Sequence, residues 1–269
     1  MTVARINDCF KKLKAENKTA FITYMMAYDP DYKTSLKIMK GLPDAGSDII
    51  ELGMPFSDPM ADGITIQEAA NRALKTNVNV KNILSMVKEF RKGNNKTPII
   101  LMGYYNPIYR YGVEKFVKDA VSSGVDGVII VDLPPEEEGE FTKFSKKAKL
   151  SLIKLTAPTT DAKRAKVVLK NSSGFVYYIS VAGITGTKTA VLSDIKKSVA
   201  RLKKSTKLPV VVGFGIKTAD QAGKVGEMAD GVVVGSALVS KIKENLNNKA
   251  NIAPAVLKLA KQISLGIKK

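Results

Sequence analysis

The chain has 269 residues, 45% of them hydrophobic, with ordinary glycine and proline content, so a packed core is within reach and disorder is excluded. Lys and Arg number 43 against 25 acidic residues, a formal net charge of +18, but the lysines are scattered rather than gathered in one stripe, which favours solvated faces over a nucleic-acid surface. Histidine is absent and Cys9 is the single cysteine, which excludes Ser–His–Asp and Cys–His catalysis, His-ligated metals and an intrachain disulfide.

The first segment, MTVARINDCFKKLKAENK, has no secretory apolar region, and no apolar run approaches a membrane span. Val3, Ile6, Phe10 and Leu13 share one helical face. They predict an amphipathic helix docked on the domain, with Cys9 as a packed thiol. Asp8 and Glu16 weigh against a transit helix, so a cytoplasmic protein is expected.

Short apolar, β-branched runs then alternate with amphipathic stretches. The predicted strands are Phe21–Met26, Asp48–Leu52, Ile99–Tyr104, Gly127–Val131, Ser151–Leu155, Phe175–Ser180, Pro209–Gly213 and Gly231–Gly235. Several are continuously apolar, as strands buried on both faces of a parallel sheet are. Between them the periodicity predicts helices over Tyr32–Ala45 with Gly46 as C-cap, Val80–Arg91, Gly112–Ser123, Glu136–Ala148 after Pro134-Pro135, Asp161–Leu169 with Thr160 capping, Leu192–Lys204, Thr218–Met228, Ser236–Asn245 and Ile252–Ile267. Eight strands, each followed by helix, is the count of a closed (β/α)8 TIM barrel in the α/β class, which takes about 250 residues. No linker divides the chain, so residues 1–269 read as one domain. The connection after the second strand holds an extra stretch, Met54–Thr76, and long βα connections of this kind are usually functional.

Active sites of such barrels lie at the C-terminal strand ends. Glu51 ends the second strand, DIIEL, and Asp62 follows in the loop above it. Two carboxylates over an apolar mouth can divide roles, one raised in pKa and moving protons, the other ionised and stabilising positive charge. A structural alternative has Glu51 paired with a barrel lysine and Asp62 capping a helix at Thr65–Lys75. The seventh and eighth strands run into glycine turns, at Gly213-Phe214-Gly215 and at Val234-Gly235-Ser236. Paired turns of this kind at helix N-termini suit a phosphate, or are simply tight βα turns. The sixth strand leads into VAGITGTKTA, where Gly183 and Gly186, with Thr185 and Thr187, read as a hinged lid, and Gly186 has an N–H to offer phosphate. Asp132, after the fourth strand, is a further acid that fits a structural or partner-facing role better.

The segment ELGMPFSDPMADGITIQ closely resembles the signature of the tryptophan synthase alpha chain family. Further matches follow in order: MGYYNPIYRYG, GVDGVIIVDLPPEE, LTAPTTD, YYISVAGITG, VVVGFGIKT and GVVVGSALV. The resemblance implies a TIM barrel closed at the bottom by an N-terminal helix, with extra helices in the βα2 and βα8 regions. It implies a lyase that cleaves indole-3-glycerol phosphate to indole and glyceraldehyde 3-phosphate without a cofactor or metal. Its partner would be a beta chain in an α2β2 assembly, neither nucleic acid nor a membrane. Glu51 matches the family's general acid–base, Asp62 the carboxylate holding the indole N–H, and Tyr177 an aromatic beside the substrate. Gly186, Gly215, Gly235 and Ser236 match phosphate-binding positions, and Thr185 joins them as a substrate-binding residue of the lid. The loops Pro55–Asp62 and Val181–Asp194 match segments that face the beta chain and close the site.

The chain departs from the family pattern at Met26 and Tyr28, where a small hydroxyl residue and a glycine are usual, and at Ile64 and Val131, where proline is usual. None removes a catalytic carboxylate. The alternatives are a stand-alone indole-releasing lyase, another phosphate-binding barrel such as a sugar-phosphate isomerase, and a non-enzymatic barrel that activates a partner or binds nucleic acid.

Overall fold

Alternation along each strand sorts side chains into a barrel interior and an outer layer packed under helices. A computed structural model describes residues 2–180, 188–213 and 215–267. The strands are β1 (Ala20–Met26), β2 (Ile49–Gly53), β3 (Ile99–Gly103), β4 (Gly127–Ile130), β5 (Ser151–Leu152), β6 (Lys154–Thr156), β7 (Val176–Ile179), β8 (Val210–Gly213) and β9 (Gly231–Val234). All pairings are parallel, in the order β5-β4-β3-β2-β1-β9-β8-β7-β6. This is the expected (β/α)8 barrel, with one difference in strand count. The fifth strand is split at Ile153 into β5, which pairs with β4, and β6, which pairs with β7. Ile22, Ile49, Ile100, Ile129, Ile153, Phe175, Val211 and Val233 fill the interior.

Helix α1 (Thr2–Ala15) lies across the bottom of this interior. Its Ile6, Phe10 and Leu13 join the same cluster, and the Phe10 and Phe175 rings are 5.8 Å apart. Buried Asp126, at the foot of β4, accepts from Arg5 of α1 (2.8 Å), from Arg91 (2.7 Å) and from the Ile99 N–H (2.8 Å). Cys9 is half-buried and its thiol faces the Asp48 carbonyl at 3.7 Å, as a packed thiol does.

The remaining helices, in chain order, are α2 (Tyr32–Gly41), α3 (Ile64–Leu74), α4 (Val80–Arg91), α5 (Tyr105–Tyr111), α6 (Val113–Ser123), α7 (Gly139–Ala148), α8 (Ala162–Leu169), α9 (Lys188–Ser205), α10 (Ala219–Gly226), α11 (Ser236–Glu244) and α12 (Lys249–Ile267). The pairs α3/α4 and α11/α12 are the extra helices expected after the second and last strands. Several helix ends differ from expectation. Helix α2 stops at Gly41 rather than Ala45, because Pro43 has no N–H to continue the ladder; Gly46, at φ +98°, only finishes the turn. Helix α7 begins at Gly139, since residues 134–137 close a turn of their own through Glu137 N–H and Pro134 O (3.1 Å). Asp161, not Thr160, caps α8, while the Thr160 hydroxyl accepts from the Ala157 N–H instead. Short α5 was not foreseen at all, and Gly112 at φ +91° separates it from α6. Among the described residues, no helix is long and apolar enough to cross a membrane.

Candidate active site

Tyr24 of β1 and Glu51 of β2 stand in register on adjacent strands, on the inward-facing rows that also carry Ile22 and Ile49. Both open into a cavity of about 170 Å³ at the C-terminal end of the barrel. Asp62, Tyr177, Gly215, Gly235 and Ser236 line the same cavity, together with Met102, Ile66 and Val233. Thr185, Gly186 and the lid assigned around Gly183 lie outside the described residues, as does Phe214.

Glu51 is 1% exposed, and its Oε2 has no hydrogen-bond partner among the described residues. Burial alone pushes its pKa from 4.5 up to about 8. The expected alternative of a barrel lysine partner fails here. Lys154 of β6 points outward, where it pairs with the buried carboxylate of Glu138, itself held by Asn171 at 2.6 Å. Glu51 is therefore a carboxyl that is protonated near neutrality and has an oxygen free for a ligand.

Asp62 is half-buried in the loop between β2 and α3. Burial raises its carboxyl, and a hydrogen bond from Tyr104 partly counters that. The Tyr104 hydroxyl also accepts from the Ala61 N–H (3.0 Å), so it ties the loop down at two adjacent points. The helix-cap alternative for Asp62 also fails, because Gly63 bounds α3 and no side chain caps it. The two carboxyls thus differ in setting. One is sealed in apolar surroundings, and the other is hydrogen-bonded and partly wet, which separates their titrations.

Across the cavity, Gly235 precedes α11. Its carbonyl receives the Leu238 and Val239 N–H groups at 2.9 and 3.1 Å. The N–H groups of Ser236 and Ala237, ahead of these, have no intrahelical acceptor and carry the positive end of the helix dipole. Gly215, at φ +43°, turns the chain beside them. No Lys or Arg lines the cavity among the described residues, so an anion there would be held by backbone dipoles. Tyr177 lies over Gly213: a Cβ at that glycine would stand 2.4 Å from the tyrosine hydroxyl.

Sequence reasoning missed Tyr24 and the apolar wall, and it read Tyr104 only as a polar residue at the end of the third strand. Tyr24 was inside a predicted strand, and period-two alternation from Ile22 already placed it inward. Nothing in the spacing linked Tyr104 to Asp62. Asp132 does not line the cavity; it is exposed and accepts from the Tyr105 N–H (2.7 Å) at the start of α5. Of the departures, Met26 is buried against Ala69, Ala70 and Ala73 of α3, whereas Ile64 is 77% exposed.

An eight-position parallel barrel with two differently housed carboxyls at its mouth defines a TIM-barrel enzyme. The model of the family "Tryptophan synthase alpha chain" matches residues 10–268. The crystal structure of tryptophan synthase subunit alpha from Legionella pneumophila is 41% identical, with 98% of each chain covered and a TM-score of 0.91. A protein of Aquifex aeolicus is 40% identical over 98% of this chain and 99% of its own, with a TM-score of 0.89. Tryptophan synthase from M. tuberculosis, in an open form with BRD0059 bound, is 33% identical over 98% of each chain, with a TM-score of 0.88. The chain belongs to the tryptophan synthase alpha chain family. It is a lyase of tryptophan biosynthesis, and its reaction is the alpha-chain cleavage of indole-3-glycerol phosphate to indole and glyceraldehyde 3-phosphate.

Proposed function

We propose that Glu51 is the general acid–base of this cleavage and that Asp62 holds the indole nitrogen. The single observation that carries the reading is the buried, unpartnered Glu51 Oε2, in a carboxyl raised to about 8, facing the same cavity as Asp62. Protonated Glu51 delivers its proton to indole C3. The indolenine that forms carries positive charge at nitrogen, and the Asp62 carboxylate stabilises it. Glu51, now ionised, takes the proton from the C3′ hydroxyl while the C3–C3′ bond breaks. The aldehyde forms, the bond electrons restore the indole, and the acid is regenerated. Each proton transfer contributes about 10²–10⁴-fold, and positioning supplies the rest.

The phosphate is assigned to Gly215, Gly235 and Ser236, with Gly186 and Thr185 assigned to it by sequence. Tyr177 packs beside the substrate. The free amides at the start of α11 support this placement. The partner is a tryptophan synthase beta chain in an α2β2 assembly that receives the indole, and the setting is cytoplasmic. The test is indole release from indole-3-glycerol phosphate by the purified chain, with and without a beta chain. Release is expected in both, faster with the partner. No release in either would overturn the reading, and full activity without a beta chain would favour a stand-alone lyase.

A further inference from the structure

Tyr24 is a polar group on the cavity wall that the proposed chemistry does not use. Its ring spans two glycines. A Cβ at Gly235 would stand 3.2 Å from the Tyr24 Cβ, and a Cβ at Gly53 would stand 2.3 Å from its hydroxyl. Gly235 belongs to the rim assigned to phosphate. Gly53 lies two residues past Glu51, at the end of β2 facing Met26. The ring therefore runs from the phosphate end of the cavity to the end beneath Asp62, where the indole is read to lie, and its hydroxyl is at the indole end. A side chain at Gly53 would evict the tyrosine, whereas one at Gly235 would only crowd it.

The residue is 7% exposed, and the described residues give its hydroxyl no hydrogen-bond partner. Burial, then the nearby charges of Asp62 and Glu51, hold its pKa well above the ordinary phenol value, so it remains an O–H donor across the neutral range. On the reading that the indole lies at this end, an unsubstituted ring offers this O–H no acceptor on its benzo edge, and the contact with water that it displaces is not replaced. A hydrogen-bonding group on that edge of the ring would replace it. Sites that hold a buried hydroxyl in this way discriminate between ligands that can pair it and ligands that cannot.

We propose that Tyr24 is a specificity-determining residue whose hydroxyl, placed over Gly53, fits this pocket to indole rings that carry a hydroxyl on the facing edge, so that ring-hydroxylated indole-glycerol phosphates are substrates. The proposal rests on the reading of Asp62 as the holder of the indole nitrogen.

The test measures kcat/KM for indole-3-glycerol phosphate and for its four analogues hydroxylated on the benzo ring, with the wild-type chain and with Tyr24→Phe. At least one analogue should match or exceed the parent in the wild type. Tyr24→Phe should lower kcat/KM for that analogue about tenfold and raise it for the parent a few-fold, as expected when one buried hydroxyl is removed. Gly53→Ala, which puts a methyl where the hydroxyl sits, should erase the same preference. Calorimetric titration with the free indole and hydroxyindoles should give the same order of affinities. An analogue-to-parent ratio that is equal in wild type and Tyr24→Phe would overturn the proposal, as would equal losses on all five substrates. A wild-type chain that binds the hydroxyindole preferentially yet cleaves none of the five would keep the pocket assignment and sink the catalytic reading instead.

Discussion

Replacing Glu51 by Gln should stabilise the protein while disabling it. The unfolded chain ionises this carboxyl near 4.5, whereas the folded chain ionises it at about 8. Between those values the native state holds a proton that the unfolded state has lost. Native stability is therefore whole below 4.5, falls as pH rises through the window, and reaches its full loss above 8. At about 1.4 kcal/mol per pH unit, the full gap is roughly 5 kcal/mol. Gln has the same shape and never ionises, so Glu51→Gln escapes the loss. Urea unfolding at a series of pH values should find the two proteins alike near pH 4, with the variant ahead by several kcal/mol near pH 9. Parallel stability curves across this range would refute the reasoning. They would mean that Glu51 ionises at no cost in the fold.

The same carboxyl sets the alkaline side of the rate profile: kcat/KM should fall above a pH of about 8, where Glu51 lacks the proton it must donate, and a profile flat to pH 10 would contradict that. Asp62 must be ionised, and Tyr104 lowers its pKa through a hydrogen bond. Tyr104→Phe should therefore move the acidic limb of kcat to higher pH and lower the plateau several-fold, whereas an unmoved limb would deny Tyr104 its positioning role. Gly213→Ala would drive a methyl to 2.4 Å from the Tyr177 hydroxyl. Overpacking of this kind costs about 1–3 kcal/mol, and the displaced ring should raise KM, both read from denaturation and steady-state kinetics.

The barrel was legible because its strands are short β-branched runs buried on both faces, a pattern that survives without knowledge of the neighbours. Element ends were less legible where proline competes with periodicity. Pro43 cuts α2 short of the amphipathic stretch that continues to Ala45, and Pro134-Pro135 opens a turn rather than a helix. The break at Ile153 was hidden within SLIKL. Its two halves pair with different neighbours, and buried Lys154 is paired by Glu138 from the preceding connection. Glu51 and Asp62 could be picked out because each falls near the end of the same strand or in its loop. What spacing cannot carry is the lack of a partner. That no described residue pairs with Glu51 Oε2, that Tyr104 reaches Asp62 across 42 positions of chain, and that Tyr24 packs on both Gly53 and Gly235 are facts of assembly in three dimensions.

The central claim is that one buried carboxyl both gives and takes the proton in carbon–carbon cleavage. Single-turnover indole release from indole-3-glycerol phosphate, by wild type and by folded Glu51→Gln in the presence of a beta chain, tests it most directly. With both proton transfers lost, each contributing about 10²–10⁴-fold, the variant should release indole at least about 10³-fold more slowly while still binding substrate. Release by Glu51→Gln at a rate within tenfold of wild type would contradict the account.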